Sequence, residues 1–286
     1  MADSPSHQLG EFIGDFLERT IINTLMPIVN QLGYYLDYRH ERPARHMRKE
    51  VILVDANENE HKLDMVVEEN GSEEVLGIPK AFIEVAWRRY TKHSKNKVQE
   101  ISAAITPLVL RYRQHMPFYA AILAGDFTDN SLQQLRSEGF YVLYFPYDDL
   151  CALFDSVGIS IRWNEDTSDE ELAHIYNRLS ALQQPAIVTL QNTFARSHIH
   201  LITGLTNTLS ARLQRRISVV SILPLHGTIH QNAGIHEAID FVANYQENQI
   251  MPINKYEIWI RYTTGETFSY CCNNKNDAIC FLRTYL

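Results

Sequence analysis

Residues 61–90, HKLDMVVEENGSEEVLGIPKAFIEVAWRRY, contain two apolar runs typical of β-strands, joined by a polar segment, NGSEEVLG, that predicts a hairpin turn. Each run carries one acidic residue among apolar neighbours, Asp64 in the first and Glu84 in the second. Adjacent strands can bring these two carboxylates together. Because a buried carboxylate is costly unless it is paired or bound to a cation, the pattern predicts a site for a hard divalent metal ion.

The sequence around this hairpin predicts an α/β domain. Residues 8–32 and 97–116 have apolar residues at helical spacing, and YYLDYR, at 34–39, predicts a short strand. VILVDA, at 51–56, predicts a strand that pairs with HKLDMVVEE across a polar turn. The continuous apolar runs FYAAILAG and YVLYFPY then alternate with helical patterns. This alternation predicts a mixed sheet covered by helices on both faces.

A polar, acidic stretch, RWNEDTSDEE, changes the character of the chain at residue 162. We therefore predict one domain over 1–162 and a second over 163–286, in which a helical segment precedes a small α+β unit for recognition, dimerisation or regulation. Ser168 and Glu171 have capping-box spacing, and one long helix is predicted from Pro185 to Arg216. No internal repeat is apparent.

The composition is that of a globular protein, with 45% hydrophobic and 21% charged residues. No apolar run is long enough for a membrane span and no secretory signal is evident, so we expect a soluble, cytoplasmic protein without a membrane partner. The four cysteines have no CxxC spacing, which favours reduced thiols. The net charge of −8 argues against a general polyanion binder.

The order of helix, hairpin with Asp64 and Glu84, and helix resembles the PD-(D/E)xK nuclease superfamily, whose fold is the restriction-endonuclease-like α/β fold. The resemblance covers roughly residues 10–150. Asp64 matches the aspartate of the motif and Glu84 matches its second acid, whereas Leu63 stands where a proline is common. Ala86, which strand alternation places on the same face as Glu84, stands where the motif lysine is expected.

The resemblance implies a DNA endonuclease that hydrolyses phosphodiester bonds with Mg²⁺, or with Mn²⁺, in a restriction or anti-phage defence system. In the family, the lysine orients the attacking water, so Ala86 implies a catalytically impaired protein. Three explanations are open. The lysine has been replaced, which we favour; or its role has moved to Arg88, Lys95 or Lys97; or the domain only binds nucleic acid or acts as a scaffold.

Further candidates for the site follow from the same resemblance. Glu18, in the acidic stripe of the first helix, is expected to supplement the metal ligands Asp64 and Glu84, and Gln99 resembles a glutamine that follows the motif in some members. We expect double-stranded DNA as the partner, and a homodimer or a defence-system protein is a further possible partner. The residues expected to contact DNA phosphates lie on both sides of the hairpin: Arg42, Arg45, Arg48, Arg88, Arg89, Lys92, Lys95 and Lys97.

Overall fold

A computed structural model describes residues 4–247 and 255–286 of the chain. The chain divides into two compact units, Met1–Ser210 and Ala211–Leu286. The division therefore lies at residue 210, and the boundary predicted at residue 162 falls inside the first unit.

Over its described residues, the first unit contains seven strands and six α-helices, and a seventh α-helix runs across the division. The strands are β1 (Tyr34–Tyr38), β2 (Val51–Val54), β3 (Glu60–Leu63), β4 (Met65–Glu69), β5 (Ile78–Arg88), β6 (Phe118–Gly125) and β7 (Tyr141–Pro146). The helices are α1 (Pro5–Gln31), α2 (Ser94–Arg111), α3 (Asp129–Ser137), α4 (Tyr147–Asp155), α5 (Asp169–Ser180), α6 (Gln184–Ser197) and α7 (Ile199–Gln214).

The main sheet has the strand order β1-β4-β5-β6-β7. The pairs β1–β4 and β4–β5 are antiparallel, whereas β5–β6 and β6–β7 are parallel. Residues of α2 and α3 form an apolar cluster with one face of the sheet. On the other face, Phe16 of α1 packs against Phe154 of α4, and Phe145 of β7 packs against Phe194 of α6. The predicted mixed α/β sheet flanked by helices is confirmed.

The strand that precedes the hairpin bends where the sequence predicted a continuous run. β3 pairs with β2 in a separate two-stranded sheet, and β4 joins the main sheet. Asp64 lies at the bend between β3 and β4. Its side chain is thereby placed at the end of the β4–β5 ladder, where Met65 pairs with Ile83.

Two helical predictions need correction. Helices α5 and α6 belong to the first unit because α6 packs on α1: Gln191 accepts a hydrogen bond from Asn23, and Phe194 meets Phe16 at 6.3 Å between ring centroids. The helix predicted from Pro185 to Arg216 is two helices, which meet at His198. The capping box of Ser168 and Glu171 at the start of α5 is confirmed.

The second unit contains four strands and two helices over its described residues. They are β8 (Ile217–Pro224), β9 (His230–Asn232), α8 (Ile235–Asn244), β10 (Tyr256–Tyr262), β11 (Thr267–Cys272) and α9 (Lys275–Arg283). The strands form an antiparallel sheet in the order β11-β10-β8-β9. The order strand, strand, helix therefore occurs twice along this part of the chain.

The register of this sheet reveals an internal repeat that the sequence analysis missed. Ser221 of β8 pairs with Trp259 of β10 at the centre of the two strands. On either side of this pair, Ile222 pairs with Ile258 and Val220 pairs with Ile260, so the two strands occupy equivalent positions about the central pair. The pairs of β8 with β9 likewise correspond to those of β10 with β11. The helices carry related sequences, EAIDF at 237–241 and DAICF at 277–281. The second unit is therefore two ββα repeats about a pseudo-two-fold axis.

Within residues 4–247 and 255–286, no helix combines the length and apolar character that a membrane crossing requires.

Candidate functional site

One hydrogen bond joins Asp64 to Glu84 at the end of the β4–β5 ladder, and a second joins Asp64 to the adjacent Val85. The amide of Asp64 donates to Oε1 of Glu84 over 3.2 Å, and the amide of Val85 donates to Oδ2 of Asp64 over 2.8 Å. Glu84 is 7% exposed, and Asp64 is half-buried. The two carboxylates that the sequence singled out are therefore neighbours, and the backbone fixes one oxygen of each.

The electrostatics of this pair disfavour two negative charges. Burial raises the pKa of Glu84 well above its usual range, and the negative charge of Asp64 raises it further. Burial also raises the pKa of Asp64, although the Val85 amide and the charge of Lys97 oppose that change. The two carboxyl groups are close enough for each to affect the ionisation of the other. A buried and a half-buried acid this close together need either a shared proton or a cation between them.

Glu18 of α1 is close enough to be affected by the same charges. Burial, followed by the negative charges of Asp64 and Asp15, raises the pKa of Glu18 to about 7. Glu18 is half-buried, so water reaches it. Across the described part of the chain, however, no three histidine, cysteine or acidic side chains are grouped closely enough to hold a metal ion. The arrangement offers two carboxylate ligands, with Glu18 as a charged neighbour.

Position 86, where the resemblance expects a lysine, is occupied by an alanine that packs in the apolar core. Ala86 is 3% exposed and belongs to the cluster that contains Val98 and Leu123. The positive charge at the carboxylate pair comes instead from Lys97 in the first turns of α2, which lowers the pKa of both Asp64 and Glu84. Nζ of Lys97 also lies 3.5 Å from Oε2 of Glu100.

Arg42 and Arg45 do not lie on a DNA-binding surface, which corrects the expectation from sequence. Arg42 is completely buried and binds both oxygens of Glu68, at 2.8 and 3.2 Å, together with Asp37 at 2.7 Å. Arg45 is 8% exposed and also binds Asp37. A buried, fully paired guanidinium cannot reach a phosphate. These arginines instead hold the hairpin, because Arg42 also donates to the carbonyls of Ser72 and Val75.

Arg89 is also engaged within the protein. Its guanidinium pairs with Asp126 at 2.6 Å, donates to the carbonyl of Trp163 and lies 4.0 Å from the ring centroid of Tyr147. Arg89 therefore ties the end of β5 to three later segments, and a role in DNA binding would break these contacts.

The remaining predicted contacts are accessible. Arg48, Lys95 and Gln99 are exposed, and Lys92 is exposed and pairs with Glu165. Arg88 is partly exposed, donates to its neighbour's carbonyl at Trp87 and lies 3.8 Å from Glu100. Lys92, Lys95 and Gln99 thus flank the start of α2, on the same segment as Lys97.

A cleft of about 650 Å³ lies next to the carboxylate pair, beginning at Val85, the residue after Glu84, and extending past the end of β5. Val85, Ala86 and Lys97 line it near the carboxylates. Gly10 and Gly14 of α1 line another part, and a Cβ added at either would meet no atom of the described residues within 4 Å. The cleft thus lies outside the carboxyl ends of the parallel strands, where open α/β sheets bind ligands.

Sequence reasoning missed several of the residues that shape this cleft. Trp163 lines the cleft although it lies far along the chain from Trp87. The ring centroids of the two residues are 6.3 Å apart. Glu100, which lies near both Arg88 and Lys97, was also missed. The signal for Trp163 was weak, because it lies in a polar stretch that resembled a linker.

Comparisons with known proteins do not assign the chain to a family. No family model matches it, and no curated protein sequence matches it. Among solved structures, it is similar to the crystal structure of the protein of unknown function AF1548, with 12% sequence identity and a TM-score of 0.27. That alignment covers 65% of this chain and 99% of the other. This degree of similarity does not establish a shared fold.

Proposed function

We propose that the chain is a Mg²⁺-dependent endonuclease of the restriction-endonuclease-like fold, which hydrolyses phosphodiester bonds in DNA. The observation that carries the proposal is the pair of Glu84, which is buried, and Asp64, which is half-buried; backbone amides hold the two carboxylates side by side, and the cation Lys97 accompanies them. Function in a restriction or anti-phage defence system in the cytoplasm, with or without a partner protein, extends the proposal from the resemblance in sequence.

The residues present fit a magnesium ion. Mg²⁺ in phosphate chemistry uses one or two protein carboxylates and takes its other ligands from water and substrate. Asp64 and Glu84 would hold the ion through the carboxylate oxygens that the backbone amides leave free, and Mn²⁺ would serve in the same way. A bound Mg²⁺ supplies Lewis-acid polarisation of the phosphate and lowers the pKa of water.

The other groups of the site orient the substrate and balance charge. The backbone amides of Asp64 and Val85 keep the two carboxylates in place without reorganisation. The ammonium of Lys97 would take the role of the absent motif lysine, stabilising the negative charge that develops on the scissile phosphate. Of the three explanations for Ala86, relocation of the cation to Lys97 thus agrees best with the electrostatics of the site.

The accessible cations support nucleic acid as the substrate. Lys92 and Lys95 are exposed beside Lys97, and Arg88 lies at the end of β5. Cations at this density neutralise successive phosphates and fix the register of a bound strand.

The test is metal-dependent cleavage of a mixed-sequence duplex by the full chain. We expect cleavage in Mg²⁺ and Mn²⁺ that EDTA stops, and a loss of about 10²-fold or more in Asp64→Asn. Asp15→Asn is the matched control, because Asp15 is an exposed acid on α1 outside the pair. Cleavage that persists in Asp64→Asn would refute the assignment of the site.

A protein that binds nucleic acid without cutting it is the second candidate. The observation that favours it is the packing of Ala86 in the apolar core, since no lysine stands at the position that the family uses. Salt-dependent DNA binding without cleavage in either metal would support this candidate over the nuclease.

A further inference from the structure

We infer that the cleft beside Asp64 and Glu84 accommodates one unpaired nucleotide, so that the preferred substrate carries a single-stranded or extrahelical nucleotide next to the scissile phosphate. This inference rests on the proposed function, since it specifies the substrate of that site. It goes beyond the double-stranded DNA expected from the sequence.

The position of the cleft connects it to the chemistry. Val85 donates its amide to Asp64 and also lines the cleft, and Lys97 acts on both carboxylates and lines it as well. A phosphate held at the carboxylate pair would therefore have its adjoining nucleotide at the mouth of the cleft.

The shape of the cleft suits a small, flat group. Its volume of about 650 Å³ lies within the roughly 300–1,000 Å³ of typical small-molecule pockets. Gly10 and Gly14 lie one turn apart on α1 and expose helix backbone without side chains. Either position would accept a side chain without a clash among the described residues, so packing does not require glycine there. Because Gly10 and Gly14 carry no side chains, the part of the cleft that they line is left free for a ligand.

The opposite part of the cleft offers groups that recognise bases. Tyr90 lines it and is partly exposed, and unpaired bases stack on aromatic side chains; Trp87 and Trp163 line it as buried rings beneath the surface. Trp163 is 4% exposed, and Nε1 of its indole has no hydrogen-bond partner among the described residues. A buried N–H without an acceptor is uncommon in folded proteins. A ring nitrogen or a carbonyl oxygen of a base is an acceptor that a ligand in this cleft would bring.

The charges on the cleft suit a nucleotide more than an apolar ligand. Arg88 and Lys97 provide cations on either side of Glu100. Bases inside a duplex are stacked and paired, so they cannot enter a concave pocket unless the nucleotide is extruded. A substrate that already carries an unpaired nucleotide avoids that cost.

The experiment compares three substrates of one sequence with the full chain in Mg²⁺: a paired duplex, a duplex with one bulged nucleotide, and a single strand. We expect the bulged and single-stranded substrates to be cut at least about 10-fold faster than the duplex. The variant Gly14→Leu places a side chain in the cleft and should remove this preference. Asn30→Leu is the control, since Asn30 is exposed on the last turn of α1.

A binding measurement separates this inference from the proposed function. Fluorescence anisotropy with labelled oligonucleotides in EDTA should show tighter binding of the bulged than of the paired substrate, and Gly14→Leu should abolish the difference. This result without cleavage of any substrate would support the cleft and overturn the nuclease. Equal cleavage of all three substrates, or a preference that survives Gly14→Leu, would overturn the inference and leave the nuclease standing.

Discussion

The amide of Asp64 donates a hydrogen bond to Oε1 of Glu84, so the bend before β4 is fixed to the middle of β5 by the two acids themselves. The carboxylate of Asp64 in turn accepts the amide of Val85, the residue after Glu84. The two acids are thus held side by side by backbone amides. A large change at either residue should disturb this arrangement, which makes conservative substitutions the informative ones.

Replacing Glu84 by glutamine should separate catalysis from stability. Glu84→Gln removes a negative charge that burial disfavours, and we expect it to raise the free energy of unfolding at pH 8 in EDTA. The same variant should lose metal-dependent cleavage. Urea denaturation and the duplex cleavage assay measure the two effects. A variant that is less stable than the parent at pH 8 would contradict the assigned cause of the shift.

The metal-free protein should become less stable as the pH rises. The pKa of Glu18 is raised from 4.5 to about 7, and that of Glu84 is raised as well, so the folded state binds more protons than the unfolded state between these values. The contribution of these two groups to stability is therefore greatest below pH 4.5, and it falls as they ionise in the folded state. Glu18→Gln should flatten the decline in urea denaturation in EDTA between pH 5 and pH 8. An unchanged slope would show that Glu18 does not titrate there.

Lys97 should be required for cleavage, whereas its neighbour should not. We expect Lys97→Ala to lower the cleavage rate by about 10²–10³-fold, as for loss of one group that stabilises transition-state charge. Lys95→Ala is the comparison, because Lys95 is an exposed lysine of the same turn; as a phosphate contact it should weaken DNA binding but leave the rate at saturating DNA unchanged. Adding Ala86→Lys to Lys97→Ala should recover part of the rate, since a long lysine stem can cross apolar surface and place its charge in the cleft. Equal losses from both single variants would remove Lys97 from the mechanism.

Arg42 should be essential for folding. Arg42→Ala would leave Glu68 buried without its cation and Asp37 with Arg45 alone, which costs about 3–5 kcal/mol of unfolding free energy. Arg48→Ala, at an exposed position in the same segment, should change it by less than about 0.5 kcal/mol. Urea denaturation distinguishes the two. Comparable effects would mean that the buried pairs do not hold the hairpin.

Two glycines of the first unit, Gly125 and Gly14, should respond in opposite ways to alanine. Gly125 ends β6 with a φ of +102°, and its Cβ would lie 2.0 Å from the carbonyl oxygen of Arg88, so Gly125→Ala should destabilise the fold by about 3 kcal/mol or more. Gly14→Ala meets no described atom and lies inside a helix, so it should stabilise by up to about 1 kcal/mol. Thermal unfolding of both variants gives the comparison.

Local patterns were sufficient to predict most of the first unit. Alternation and helical spacing identified α1, α2, β5, β6 and β7 because each element buries one face or both. The proximity of Asp64 and Glu84 followed from the hairpin alone. The bend at Asp64 did not, because it depends on β3 leaving the main sheet to pair with β2.

Long-range partners account for what the sequence did not predict. From the sequence, Arg42 was predicted to lie on a basic surface. Its acidic partners in the structure, Asp37 and Glu68, lie in other segments of the chain, so the sequence did not reveal the pairing. The helix break at His198 accompanies a 2.9 Å contact with Asp149 of α4. Such contacts leave no periodic signal, so burial of a charged residue is hard to foresee from one sequence.

The repeat in the second unit bears on how such a sheet could have arisen. In a pair of identical chains, a residue at the symmetry axis always faces its own copy, whereas here Trp259 faces Ser221. Joining two ancestral copies in one gene would have released that constraint and allowed a large ring opposite a small hydroxyl. Either half alone would leave the inner edge of β8 or β10 open for pairing. A fragment with one repeat should therefore associate with itself and rebuild a four-stranded sheet from two molecules.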